Sequence, residues 1–343
     1  MKYPFTGLYH YCFNLGKSLV KEVDKNKMSL SFYLSQKNRG IFGADQQYLQ
    51  QSFFHKLSMP SLKGYAVWHA THHETAYLPI KRKLPVLLTV HDLNFIHDNE
   101  KSTEKKRRYL KDLKNKIDCA DHIVAISKFT LSELNHYIDL KNKPISVIYN
   151  GCNIIAPITH IIRPLAAPST TFLFTIGTIA TKKNFHVLPS LLVGNQKKLI
   201  ISGIVQDADY KRKIIQEAVK WKVMDRIFFT GPISENDKQW YYQNCEAFVF
   251  PSVAEGFGLP VLEALHFKKP VFLSEYGSLP EIGGNAAYYF KSFEINHMRT
   301  VMEDGLKHYE NDLSQSEKAY ERAMYFDWNL TAKQYLGLYE TLI

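Results

Sequence analysis

The chain has 343 residues, enough for two domains of ordinary size, with the 45% hydrophobic and 22% charged content of a globular protein. No apolar run approaches membrane-spanning length, the first residues show no signal-peptide pattern, and four scattered cysteines (Cys12, Cys119, Cys152, Cys245) without metal or disulfide spacing fit a reducing, cytoplasmic compartment. The net charge of +10 asks for an acidic partner or an anionic surface, and on charge alone nucleic acid, phosphorylated substrate and membrane headgroups all stay open.

In chain order, Met1–Phe5 is very short and Thr6-Gly7-Leu8-Tyr9-His10-Tyr11 leads into an apolar helical pattern through Phe13, Leu15, Leu19 and Val20. Met28–Leu34 reads as a strand by alternation and β-propensity. Tyr65–Trp68 and Pro85–Val90 read as buried strands, the second ending in His91-Asp92-Leu93. In parallel sheets ligands collect at the carboxyl ends of strands, so His91 is a site candidate, with a capping or core histidine as the plainer reading. The run Trp68-His69-Ala70-Thr71-His72-His73-Glu74 invites a zinc reading, but no His-x-x-x-His on a clear helix and no second ligand cluster supports it. An acceptor-facing loop after a strand is the better expectation.

Lys101–Lys116 is densely basic, with Tyr109, Leu110, Leu113 and Ile117 as a narrow apolar stripe. It is either a solvated helix face or an attachment to an anionic membrane. Ala120–Thr130 reads as a buried strand and a Ser-capped helix start, with Glu133 completing a Thr-x-x-Glu capping box. Val147–Gly151 leads out of the first domain, and Ile154–Pro168, with three prolines, reads as the linker. The expected division is 1–160, joined by a terminal amphipathic helix in 326–343, and 161–325.

The second half opens with a strand, Thr171–Ile176, and the turn Gly177-Thr178-Ile179-Ala180-Thr181-Lys182-Lys183-Asn184. A glycine turn with lysines before a helix suits a diphosphate. Leu199–Ser202 and Arg226–Thr230 are further strands, the latter followed by Gly231-Pro232-Ile233. Ala247–Phe250 is a short buried strand stopped by Pro251. Glu255-Gly256-Phe257-Gly258 is a glycine-flanked loop, and Pro260 sits in the first turn of a helix whose apolar face is Val261, Leu262, Ala264 and Leu265. Strand, glycine loop and helix N-terminus together present backbone N–H groups to an anion. Glu255 and Glu263 flank that position, and carboxylates accept hydrogen bonds from sugar hydroxyls. The layout suits a ligand that is sugar, phosphate, sugar in sequence, such as a nucleotide sugar. Pro270–Leu273 is a last strand before the loop Glu275–Gly284.

Glu255 to Glu263 resembles the E-x7-E motif of retaining glycosyltransferases with the GT-B fold, and Glu-Gly-Phe-Gly-Leu-Pro-Val-Leu-Glu-Ala resembles glycosyltransferase family 4. The resemblance runs through nearly the whole chain and is strongest over Gly177–Gly284. It implies an α/β fold of two Rossmann-like, doubly wound parallel-sheet domains facing a cleft. The five residues before Thr6 are too few for the family's first strand, so the N-terminal sheet is expected without it. By resemblance, His91 and Gly7 face the donor sugar, Glu255 binds its hydroxyls and Glu263 the ribose. Lys183 is the phosphate lysine, with Gly177, Thr178 and Lys182 beside it; Lys182 and Thr178 stand where members often carry Arg. Gly231 and Ile233 contact the base, and Gly256, Phe257, Gly258 and Leu259 line the phosphates.

The resemblance thus implies a retaining, metal-independent hexosyltransferase without cofactor. The donor would be a nucleotide diphosphate sugar, GDP-mannose before a UDP-sugar, and the acceptor a saccharide or polyprenyl-linked saccharide. Residues His91, Glu255 and Lys183 would carry the chemistry. Alternatives are a glycosidase acid–base pair, which leaves Lys183 unexplained, a phosphorylase on the same fold, and a non-catalytic nucleotide-sugar binder. A nucleic-acid binder fits the charge, but no nucleic-acid module accompanies it.

Overall fold

A computed structural model describes residues 6–79, 84–98, 100–153, 162–165 and 167–343. The chain divides into two compact α/β units, Met1–Gly151 with Phe326–Ile343, and Cys152–Tyr325. Met1–Phe5, where a first strand was expected to be missing, lies outside the described residues, as does most of the expected linker Ile154–Pro168.

In the first unit, Thr6 starts helix α1 (Gly7–Glu22) by accepting the Tyr9 N–H on its hydroxyl. Tyr11, Leu15 and Leu19, one turn apart, form its buried stripe. The C-terminal helix, Trp328–Leu342, packs beside α1 and buries Trp328, Tyr335 and Tyr339. Strands β1 (Ser31–Leu34) and β2 (Gln47–Gln50) form a separate parallel pair, so the expected strand Met28–Leu34 begins three residues late. The main sheet is parallel and in chain order: β3 (Trp68–Ala70), β4 (Val86–Val90), β5 (His122–Ala125) and β6 (Ile145–Val147). Every residue of β4 is buried, as a strand covered on both faces requires.

Three expectations need correction here. Tyr65–Trp68 is not a buried strand: Tyr65 closes a turn by donating its N–H to Leu62 O, and pairing begins only where the Trp68 N–H reaches Pro85 O. Helix α3 (Lys128–Tyr137) is capped by Ser127, whose hydroxyl accepts the Thr130 N–H at 3.0 Å. That puts Glu133 in the helix body, buried and paired with His97, rather than in a capping box. The basic stretch does form helix α2 (Thr103–Cys119), but its stripe turns inward. Leu113 and Ile117 belong to the core around β4 and β5, with Leu110 against it, so these stripe residues pack into the first unit.

The second unit holds a six-stranded, all-parallel sheet of β7 (Phe172–Ile176), β8 (Lys198–Ser202), β9 (Ile227–Gly231), β10 (Ala247–Phe250), β11 (Val271–Ser274) and β12 (Tyr288–Phe290). Its strand order is β12-β11-β10-β7-β8-β9. Counted from β7, that is the Rossmann order 3-2-1-4-5-6 read in reverse. The order changes direction between β7 and β10, which pair through Leu173 with Ala247 and Phe174 with Phe248. Such a switch point, at the carboxyl ends of its two strands, is where open α/β sheets bind ligands. The helices are α4 (Ala208–Lys220), α5 (Glu235–Asn244), α6 (Leu259–His266), α7 (Leu279–Gly283), α8 (Ile295–Asn311) and α9 (Ser314–Met324). Helix α6 is buried at Leu259, Val261, Leu262, Glu263, Ala264 and Leu265, with α9 packed on it, so more than a single apolar face is covered. The loop expected over Glu275–Gly284 contains α7, a short helix with Pro280 in its first turn.

Candidate functional site

The switch point of the second unit collects the residues that sequence marked. β7 ends at Gly177 and leads through a short 3-10 turn, Thr181–Lys183. β10 ends at Phe250 and leads through Ser252 and Glu255 to α6. The Lys183 ammonium donates to Glu255 Oε1 at 2.5 Å, with the two side chains 11% and 13% exposed. The same ammonium lies 4.8 Å from the centre of the Phe250 ring, and the lysine stem runs against Gly177. Burial alone would push the Glu255 carboxyl up; Lys183, then Lys182, and hydrogen bonds from Lys183 and Ser252 outweigh it and hold it below the ordinary carboxylate range. The pair is therefore charged, partly sheltered from water, and placed where an anion would meet its cation.

Serines that sequence reasoning did not single out hold this loop in shape. Ser252 Oγ stands 2.6 Å from Glu255 Oε1 and 3.0 Å from Lys182 O, and the Val253 N–H also reaches Lys182 O. Ser274 Oγ donates to Ser252 O. Ser278 Oγ lies 3.1 Å from Glu255 O and 2.7 Å from Phe257 O. Gly277 lets the β11 turn approach: a Cβ there would lie 2.8 Å from Glu255 O, and its φ of +66° is left-handed. Gly258, with φ +114° and ψ 48°, is the N-cap of α6 and brings no side chain to the helix N-terminus. Phe257 and Leu259 are buried beside it. The only advance signal for the serines was their place, just after strands that end at the site.

Glu263 lies in a different setting from Glu255. It is 4% exposed, and its Oε1 accepts from Asn153 Nδ2 at 2.8 Å and from Lys238 Nζ at 3.1 Å, while Oε2 accepts the Tyr242 hydroxyl at 3.0 Å. Lys238 is also buried and reaches Glu235 at 2.9 Å. Burial would lower its pKa, but Glu263 and Glu235 raise it, so the ammonium stays charged. Nothing in the local sequence marks Lys238, because its partner is 25 residues away on another helix. Among the other expected donor residues, Thr178 is half-buried and Lys182 exposed, its backbone carbonyl pinned as above. Gly231 closes β9 and accepts the Gly203 N–H on its carbonyl at 2.9 Å, and Ile233 follows, half-buried.

The first unit places His91 at the carboxyl end of β4, and Gly7, exposed, in the first turn of α1. His91 Nε2–H donates to Thr71 O at 2.8 Å, which leaves Nδ1 as the acceptor nitrogen of the neutral ring. Its backbone N–H donates to His73 Nδ1 and its carbonyl accepts the Thr130 hydroxyl. The Tyr11 ring stands edge-on to it, centres 4.5 Å apart. His69 bridges Tyr339 Oη at 2.7 Å and Thr89 Oγ1 at 2.8 Å, and Thr89 continues to Tyr335 and on to Tyr11. Burial first lowers each histidine, helped by His91 at His69, by Lys116 at His72 and by His72 at His73 and His91: His69 goes to about 3, His72 and His91 to about 4, and His73 well below its usual value. The run Trp68–Glu74 thus takes part in a neutral hydrogen-bond network; among the described residues no three His, Cys, Asp or Glu converge as a metal site would need.

Sequence comparison agrees with this layout. Residues 32–154 match the model "Glycosyltransferase Family 4" and residues 159–322 match "Glycosyl transferases group 1". Two parallel-sheet Rossmann-like units carrying these two matches define a glycosyltransferase of the GT-B fold, and the chain belongs to the family 4 type. Within it the chain resembles bacterial mannosyltransferases. It is 24% identical to O-antigen chain mannosyltransferase B of Escherichia coli, over 100% of this chain and 98% of that one. It is 26% identical to O-antigen chain mannosyltransferase RfbU of Salmonella typhimurium, over 64% of this chain and 59% of that one. Among solved structures, sucrose-phosphate synthase of Thermosynechococcus elongatus superposes with a TM-score of 0.75 at 18% identity, covering 98% of this chain and 94% of that one. Anabaena HepE, solved with UDP and glucose, gives 0.75 at 17%, covering 100% and 97%. No described helix is long and apolar enough to cross a membrane.

Proposed function

We propose that the chain is a retaining hexosyltransferase of surface-polysaccharide assembly. It would take its sugar from a nucleotide diphosphate donor and pass it to a hydroxyl of a saccharide or polyprenyl-linked saccharide. The single observation that carries this reading is the sheltered Lys183–Glu255 pair at the β7/β10 switch point, beside the N-terminus of α6. When the nucleotide diphosphate leaves, negative charge builds on its phosphates, and fixed positive partners must meet it. Lys183 and the backbone N–H groups at Gly256–Leu259 would do so, and the reading expects turnover in EDTA. Glu255 would accept hydrogen bonds from donor-sugar hydroxyls, and Glu263 from the ribose. His91 would meet the donor sugar through its carbonyl or Nδ1. The acceptor would attack from the face the nucleotide leaves.

Mannosyltransferase names among the relatives support GDP-mannose first, and the UDP and glucose bound to HepE keep UDP-sugars next. Peripheral attachment through Lys101–Lys116 would be electrostatic. Lys101, Arg107, Lys114 and Lys116 already face Asp98, Glu104, Asp118 and Asp112, and Lys105, Arg108 and Lys111 are exposed cations outside those four pairs. The test is a panel of nucleotide sugars with EDTA present, read by nucleotide release and by the anomeric proton of the product. One responding donor whose anomeric configuration is kept supports the proposal. Inversion refutes retention, and phosphate-dependent cleavage without nucleotide binding refutes the donor class.

A further inference from the structure

Between Asp45 and Glu74 the chain runs for 28 residues, 46–73, without a carboxylate, and it carries Lys56 and Lys63 there. In the middle of this stretch a single 3-10 turn, Phe53–Lys56, exposes Phe53 by 70% and Phe54 by 74%, and Leu57 just after it by 83%. Single exposed apolar side chains are ordinary, whereas three large ones within five residues ask for a covering surface.

The turn is a built feature. Ser52 and His55 cap it reciprocally, and His55 Nδ1 accepts the Ser52 N–H at 3.3 Å and stands 2.9 Å from the Tyr33 hydroxyl. Phe54 O accepts the N–H groups of Leu57 at 3.0 Å and Ser58 at 3.1 Å. Immediately after it in sequence, Met59 and Leu62 join Leu84 in a small buried core, with Leu49, Trp68 and Tyr77 against it. The segment around the turn thus already has its own core, and among the described residues Phe53, Phe54 and Leu57 stay 70%, 74% and 83% exposed outside it. Lys56 Nζ sits 4.6 Å over the Phe53 ring, so the apolar tip carries a cation at its root.

We infer that Phe53, Phe54 and Leu57 insert into the interfacial layer of an anionic lipid bilayer, with Lys56 and Lys63 at the headgroups. Aromatic and aliphatic tips beside lysines, in a stretch of chain without a carboxylate, are complementary to such a surface on both counts. A second copy of the chain is the poorer occupant, since a two-fold contact would set Lys56 against Lys56. The inference is independent of the donor site and of α2.

The experiment is flotation of the full chain with vesicles of phosphatidylglycerol mixed with phosphatidylcholine, and with vesicles of phosphatidylcholine alone. Wild type should float with the mixed vesicles. The triple variant Phe53→Ser, Phe54→Ser, Leu57→Ser should bind at least about tenfold less, and Lys56→Glu about fivefold less. Both variants should keep the wild-type melting temperature and nucleotide diphosphate affinity, since every changed side chain is outside the donor site. A Phe53→Trp variant should be quenched by brominated lipid. The inference is overturned if wild type ignores the mixed vesicles or if the triple variant floats like wild type. It is also overturned if the triple variant changes only self-association in sedimentation velocity.

Discussion

At the carboxyl ends of β3 and β4, four histidines and three tyrosines share hydrogen bonds and edge contacts, and the imidazoles are held neutral. At the carboxyl ends of β7 and β10, a lysine and a glutamate face each other fully charged. Both units are parallel sheets that put their candidate residues at the same end of the strands, yet they equip that end with different chemistry. A neutral network offers hydrogen bonds and shape, which suits an uncharged saccharide. A cation beside a helix N-terminus suits a phosphate, and the second unit has the strand-order switch at which open α/β sheets bind ligands.

The contrast can be broken most forcefully at Glu255. Glu255→Ala should lower sugar transfer by about 10²–10³-fold, in line with the loss of a preorganised polar contact at the reacting sugar. It should leave nucleotide diphosphate affinity equal or slightly higher, because Lys183 is released for the phosphate. Initial rates and calorimetry on one preparation check both halves, and an equal loss of transfer and affinity would remove Glu255 from the sugar. An effect on stability rather than on rate is expected at Lys238→Met, which leaves Glu263 buried without its cation. Breaking a buried pair from one side costs about 3–5 kcal/mol. Urea unfolding should show a loss of that order, and Glu263→Gln combined with Lys238→Met should recover part of it.

The smallest effect sharpens the comparison by pH. Each histidine of the first unit has a folded pKa below its unfolded value of about 6.5, so the unfolded chain binds more protons as pH falls. The stability they lend is complete above about pH 6.5 and is lost as pH falls towards about 4, on the order of 1–2 kcal/mol per ring by pH 5. Glu255 loses its contribution only below the ordinary carboxylate range, and Lys238 only above the ordinary lysine range. Hydrogen-exchange protection, taken relative to the intrinsic rate at each pH, should therefore fall between pH 7 and pH 5 more in β4 than in β10. An equal fall in both strands would contradict the contrast.

The second unit was the more legible of the two because its site is local. Pro251, the glycines around Phe257 and Pro260 each have a backbone reason to stand where they do, and Glu255 and Glu263 lie within one strand–loop–helix passage. What sequence could not show there is long-range: Lys238 meeting Glu263 from another helix, and Ser274 and Ser278 reaching back to the Glu255 loop. In the first unit the difficulty was greater. β2 reads Gln-Tyr-Leu-Gln, short and half-exposed, with no alternation to announce it. His69 and Tyr339 are 270 residues apart in sequence, so a histidine cluster that looks like a metal site is completed by tyrosines of the C-terminal helix. Glu133 was misplaced because Ser127, one turn earlier, took the cap.

The most direct test of the central claim is calorimetric titration of wild type and Lys183→Ala, with EDTA present, using GDP, UDP and the corresponding nucleosides. The account expects one diphosphate to bind wild type and to weaken by about 100-fold in the variant, as loss of a charge-assisted contact to phosphate implies, with the nucleoside unchanged. Equal diphosphate affinity in the two proteins, or a matching loss for the nucleoside, would contradict the assignment of this switch point to a nucleotide diphosphate.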